Sequence, residues 1–117
     1  MRVLIVDDDF FILSGLRKVL QRDHEVKTAS DGETALSMAR SFRPNVAFVD
    51  LLLGYENGLE VIEQMRQELP DAALVIMSGI PEGLSAEETD AVGADGFLAK
   101  EELALVGALL SRIERAA

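Results

Sequence analysis

With 117 residues, no cysteine and a formal charge of −10 (11 Lys plus Arg against 21 Asp plus Glu), the chain fits one domain, expected to span 1–117. The missing cysteines exclude disulfides, thiolate metal sites and thiol catalysis and agree with a reducing cytoplasm, while so acidic a surface argues against direct contact with a nucleic-acid backbone. The apolar start MRVLIV stops at Asp7, so no signal peptide or membrane span can be drawn there or elsewhere. A folded, cytoplasmic domain without membrane contact is the expectation.

In chain order, RVLIV at 2–6 predicts a strand, and FILSGLRKVL at 11–20 has apolar residues at helical spacing, with Asp9 as its cap. VKTAS at 26–30 predicts a second, more polar strand, as suits a sheet edge. Asp31 is placed to cap a helix over 32–41 that lines up Ala35, Leu36 and Ala39. Pro44 ends that stretch, and NVAFVDLLL begins the most buried-looking strand. Gly54 and Gly58 bracket a loop before LEVIEQMRQEL at 59–69, whose Leu59, Ile62, Met65 and Leu69 recur at helical spacing. Pro70-Asp71 turns the chain into ALVIM at 73–77; a short acidic helix follows over 81–92, GADGFLAK carries a fifth strand, and 101–115 predicts a last amphipathic helix.

Five strands alternating with five helices imply right-handed crossovers and a parallel sheet covered on both faces. The strongly apolar first, third and fourth strands belong at its centre and the weaker second and fifth at its edges. The expected fold class is therefore α/β, a flavodoxin-like (βα)5 three-layer sandwich with a parallel five-stranded sheet in the order 2-1-3-4-5, and its ligand crevice lies outside the carboxyl ends of the strands.

Four of the strands end in a polar residue that the apolar pattern does not need: Asp7-Asp8-Asp9 after the first, Asp50 after the third, Ser78 after the fourth and Lys100 after the fifth. One such Asp is often only a turn former or cap, but four loops converging on one edge are poorly explained that way. Clustered carboxylates repel, and a divalent cation relieves them; an all-oxygen donor set favours Mg²⁺, with Mn²⁺ as a substitute. The lone His24 lies in a polar turn and is expected to be solvated rather than a ligand. Asp50 can then act as a nucleophile toward phosphorus, with the cation and Lys100 neutralising phosphoryl oxygens and Ser78 donating a hydrogen bond.

VDDD at 6–9, VD at 49–50, Gly58, MSG at 77–79 and GADGFLAK at 93–100, in this order and spacing, make the chain resemble the receiver domain of bacterial two-component response regulators over nearly its whole length. The resemblance implies a phosphorylation-dependent signalling switch that takes its phosphoryl group on Asp50 from a histidine kinase or histidine phosphotransfer protein. It implies that Asp8, Asp50 and the backbone carbonyl of Leu52 ligate Mg²⁺, with Asp7 acting largely through water. Ser78 becomes the hydroxyl switch residue, Phe97 the aromatic switch and Lys100 the phosphate-pairing lysine. A downstream output domain or protein, and a homodimer through the face of the fourth helix, fifth strand and fifth helix, are implied partners; no enzyme activity beyond self-phosphorylation and autodephosphorylation is expected. From the residues alone, Phe97 reads equally well as an ordinary edge-strand aromatic.

The chain departs from the family pattern twice: Gly54 and Glu101 stand where prolines are usual. Without that second proline a trans bond at Lys100–Glu101 or a reshaped loop is expected. Leu52 and Ile80 are apolar and cannot orient an attacking water, which predicts a long-lived acyl phosphate. Phe10, Phe11, Ile12 and Leu13 exceed what one helix face buries; a spare residue at the crevice rim would suit a partner's helix, and incidental exposure is the plainer account. A dehalogenase-like phosphatase would need an Asp where Leu52 stands, and a nucleotide-binding domain a Gly-rich loop after the first strand. The remaining alternative is a phosphorylation-independent receiver-like protein–protein interaction module.

Overall fold

Residues 1–79 and 85–116 are described in a computed structural model. Five parallel strands, β1 (Arg2–Val6), β2 (Glu25–Ala29), β3 (Val46–Asp50), β4 (Ala73–Ser78) and β5 (Gly96–Ala99), form one sheet in the order β2-β1-β3-β4-β5. Every residue of β3 is buried, whereas β2 alternates exposed and covered positions. A central strand is covered on both faces, so its sequence must be apolar throughout; an edge strand need only be apolar on one side. The order expected from the apolar pattern is the one observed.

Alternate residues of the strands feed two cores. Leu4, Val6, Ala47, Val49, Leu74 and Ile76 pack under α2 (Gly32–Phe42) and α3 (Gly58–Glu68). Val3, Ile5, Phe48, Val75, Met77 and Leu98 pack under α1 (Phe10–Leu20) and α5 (Val106–Ala116). Asp9 caps α1 through the amides of Phe11 and Ile12, and Asp31 caps α2 through that of Thr34, as their sequence positions foretold. A short helix α4 (Ala86–Ala91) starts at a capping box made by Ser85 and Glu88. The expected helix began at 81; residues 81–84, and Ile80 before them, lie outside the described residues. Among the described residues, no helix is long and apolar enough to cross a membrane.

Two segments differ from their sequence-based expectation. The run VDLLL does not continue as one strand: β3 stops at Asp50, and Leu52–Leu53 turns back to form a two-residue antiparallel ladder with Glu56–Asn57. Gly54 makes the turn at φ +60°, the left-handed region that glycine enters without cost. Gly58 then begins α3 with its Cα against the Asp50 carbonyl, where any Cβ would collide. At the other end of the chain, the helix expected over 101–115 is α-helical only over Val106–Ala116. Lys100–Leu105 is a tighter 3₁₀ segment broken by non-helical dihedrals at Glu102. No cis peptide occurs among the described residues, so the Lys100–Glu101 bond is trans, one of the two expected outcomes.

Candidate functional site

The carboxyl ends of β1, β3, β4 and β5 open onto one edge, because parallel strands all point the same way. Asp50, the last residue of β3, is 4% exposed there, beside Met77 of β4. Asp7 extends the β1–β2 ladder by donating its N–H to Ala29 O at 3.1 Å, which leaves its side chain fully buried beneath the same edge. Lys100 follows β5 and sends its ammonium between the two acids: Nζ lies 3.0 Å from Asp50 Oδ2 and 2.9 Å from Asp7 Oδ2.

One cation for two buried carboxylates leaves negative charge over, and Asp8 adds more. One carboxylate oxygen from each of Asp7, Asp8 and Asp50 lies within 4.8 Å of the others, a span that a single divalent cation can bridge. Asp7 Oδ1 accepts from Asp9 N at 2.9 Å, and its buried Oδ2 meets the Lys100 ammonium at 2.9 Å. Three converging carboxylates, an all-oxygen set without His or Cys, fit a hard divalent metal. Leu52 lies beside the cluster, its N–H 3.4 Å from Asp50 Oδ1.

Burial pushes the Asp50 carboxyl up from its ordinary range and the charge of Asp7 adds to this, while the hydrogen bond from Lys100 opposes it. Burial pulls the Lys100 ammonium down, but its contacts with Asp7 and Asp50 outweigh that and hold it above the usual lysine value. The site therefore keeps a firmly protonated lysine against a carboxylate whose negative charge is costly.

Ser78 ends β4, buried and paired in register with Ala99. The position of a Cβ on the following Gly79 would be 3.9 Å from Lys100 Cδ, so this strand end lies beside the lysine stem. Phe97 lies opposite Ile76 in the β4–β5 register and packs, half-buried, on the α2–α3 side of the core. His24 is remote from these groups: it precedes β2, at the other end of the strands, and its Nδ1 lies 3.2 Å from the chain's amino terminus. It is half-buried rather than freely solvated, and it is no part of the acidic cluster.

Three features were not read from the sequence. Gly54 N donates to Asp8 Oδ2 at 3.0 Å, and the Glu56 carboxylate accepts from Gly32 N at 2.9 Å. The signal available for the first was the glycine itself, which supplies an N–H where proline has none. Two phenylalanines, not one, stand free at the start of α1: Phe10 is 73% and Phe11 83% exposed, their rings edge to face at 6.2 Å. Ile12 and Leu13 pack into the core.

The family profile described as "Response regulator receiver domain" matches residues 3–110. Response regulator MprA of Mycobacterium avium is 36% identical over 121 residues, covering 96% of this chain and 52% of that protein, so the chain spans about half the length of the curated relatives it matches. The solved structure of Vibrio cholerae chemotaxis protein CheY4 superposes with a TM-score of 0.85 at 29% identity, over 96% of this chain and 97% of that one. A Burkholderia pseudomallei response regulator, solved with a phosphorylated aspartic acid, calcium ion and citrate, gives a TM-score of 0.81 at 26% identity, over 98% of this chain and 69% of that one.

Proposed function

This chain belongs to the response regulator receiver family, and from that premise we propose that Asp50 is the residue on which it is phosphorylated. The chain is a phosphorylation-dependent switch of two-component signalling, and its acidic pocket is of the kind in which receiver domains bind a divalent metal. The observation that carries the assignment is the buried triangle of Asp50, Lys100 and Asp7, with the ammonium 3.0 and 2.9 Å from the two acids at the carboxyl edge of the sheet.

Asp8, Asp50 and the Leu52 carbonyl would hold Mg²⁺, or Mn²⁺ in its place, with Asp7 reaching it largely through water. When bound, the cation supplies positive charge to the phosphoryl oxygens and offsets the repulsion among the carboxylates. An Asp50 carboxylate oxygen attacks phosphorus, the bond from phosphorus to the donor nitrogen breaks, and the leaving imidazole keeps that electron pair and takes a proton. Lys100 already faces Asp50 and can pair with an incoming phosphoryl oxygen without leaving Asp7. Ser78, at the adjoining strand end, donates its hydroxyl to another such oxygen. The resulting shift in Ser78 and Gly79 frees room for Phe97 to turn inward, which alters the face formed by α4, β5 and α5.

Residues 1–117 form the receiver unit in this reading, and its chemistry stops at self-phosphorylation and autodephosphorylation. A histidine kinase or histidine phosphotransfer protein is the donor. The output is a domain or protein beyond this chain, and the α4–β5–α5 face serves a homodimer. Location in the cytoplasm belongs to the same reading, as does the lack of direct nucleic-acid contact, which the charge of −10 supports.

The phosphoryl mimic beryllofluoride, added with Mg²⁺, tests the switch against a static interaction module of the same fold. Amide resonances of α4, β5 and Phe97 should shift with those around Asp50. Shifts confined to the pocket would contradict switching.

A further inference from the structure

The segment between Asp50 and α3 is pinned from two sides. At its turn, Gly54 has φ +60°, a conformation closed to proline, and its N–H donates to Asp8 Oδ2 at 3.0 Å. This is the only hydrogen bond to the exposed Asp8 carboxylate among the described residues. Across the same two-residue ladder, where Leu53 pairs with Glu56 and Leu52 with Asn57, the Glu56 carboxylate accepts from Gly32 N at 2.9 Å. Gly32 is the first residue of α2, and a Cβ there would run into that carboxylate and Val61. The helix N-terminus offers the carboxylate both a free N–H and a favourable dipole.

An exposed aspartate samples several rotamers, and a metal must freeze one of them at a cost in side-chain entropy. A fixed backbone donor on one oxygen selects the rotamer beforehand and leaves the other oxygen free, an arrangement that outer partners of metal ligands commonly supply. The donor is only as well placed as the ladder that carries it, and the ladder is tied to α2 by Glu56. The same ladder contains Leu52.

We propose that Gly54 and Glu56 are positioning residues for the divalent-cation site: the Gly54 amide orients Asp8, and Glu56, by fastening the ladder to the start of α2, holds both that amide and the Leu52 carbonyl in place. The inference rests on the reading of Asp8, Asp50 and Leu52 as the metal-holding groups. In this chain a hydrogen-bonded glycine thus stands in for the stiffness that proline would give the loop, and adds a contact that proline lacks the N–H to make.

The test is Mg²⁺ titration of the whole chain followed by amide resonances, with the melting temperature of the metal-free protein recorded in parallel. Glu56→Ala removes the tie to Gly32, and Gly54→Pro removes the N–H and the left-handed turn. Each should raise the Mg²⁺ dissociation constant roughly tenfold. Glu56→Gln keeps an acceptor oxygen, and Gly54→Asn keeps the N–H in a residue that tolerates positive φ; a Cβ at 54 meets only Asp8 Oδ2, at an ordinary 3.8 Å. These two should stay within about twofold of wild type on the same scale. Wild-type affinity in Glu56→Ala and Gly54→Pro overturns the proposal, and so does equal weakening in all four variants, which would mean a purely structural need. A wild-type chain that binds no Mg²⁺ would instead remove the metal-site reading itself, and the proposal with it.

Discussion

Asp50 bears a conflict that its neighbours only partly resolve. Burial and the charge of Asp7 push its carboxyl up, and the single ammonium of Lys100, shared with Asp7, does not fully offset them. A carboxyl whose folded pKa is raised costs the fold most at pH above that pKa, and the cost shrinks as pH falls from there toward the ordinary, unfolded value. Asp50→Asn should therefore raise the melting temperature of the metal-free protein at neutral pH by roughly a few degrees, the scale of ~1 kcal/mol in a domain of this size. The gain should shrink on acidification, and the variant should be stabilised less by Mg²⁺ than wild type is. Melts across pH, with and without Mg²⁺, read all three trends; a gain that grows on acidification, or identical Mg²⁺ responses, would count against the pocket. Leu52, 60% exposed beside Asp50, offers an attacking water no polar partner. The double variant Leu52→Asn, Ile80→Glu should lose its phosphoryl group faster than wild type, on the order of tenfold if a polar side chain orients the water as general catalysts do. Decay of the phosphorylated forms after the donor is removed measures it, and an unchanged or slower rate ends the idea.

Among the elements, Arg66 of α3 does the most to tie helices to the sheet's far end. Its guanidinium donates to the carbonyls of Leu69, Pro70, Ala72 and Gly93 and to the Asp95 carboxylate at 2.6 Å, while Asp95 accepts from Leu74 N. Arg66→Met keeps the apolar stem but leaves several partly buried carbonyls without a donor, so unfolding stability should drop by about 2–3 kcal/mol. Urea denaturation with an unchanged slope checks it; a loss below ~0.5 kcal/mol would reduce the network to surface decoration. Strands and caps were legible in the sequence because local rules set them: continuous apolar runs at β1, β3 and β4, and Asp9 and Asp31 ahead of apolar spacing. The ladder after Asp50 was not, because Leu51, Leu52 and Leu53 extend an apolar run while the turn depends on Gly54 and on the packing of Gly58 against β3. The 3₁₀ start of the last helical segment escaped for a similar reason: EELALVGALL has helical spacing throughout, and only the dihedrals at Glu102 interrupt it.

At the level of the whole molecule, two apolar layers clamp one parallel sheet, and the edge where the strands end is left to charge. That division explains why residues that converge at this edge stand out in the sequence. Polar residues placed at the ends of buried runs have no packing role, so Asp7, Asp50, Ser78 and Lys100 could be picked out and expected at one edge. Contacts made across the crevice by backbone groups, such as Gly54 to Asp8, carry no side-chain signature and emerged only in three dimensions. This edge makes Asp50 reactive toward phosphorus if the proposed function holds. The most direct measurement is mass spectrometry of the chain after incubation with acetyl phosphate and Mg²⁺, in wild type and Asp50→Asn. Wild type should gain the mass of one phosphoryl group, located on the peptide containing Asp50, and the variant should gain none. A wild type that never gains that mass with any competent donor, or a variant labelled equally well, would contradict the proposed function.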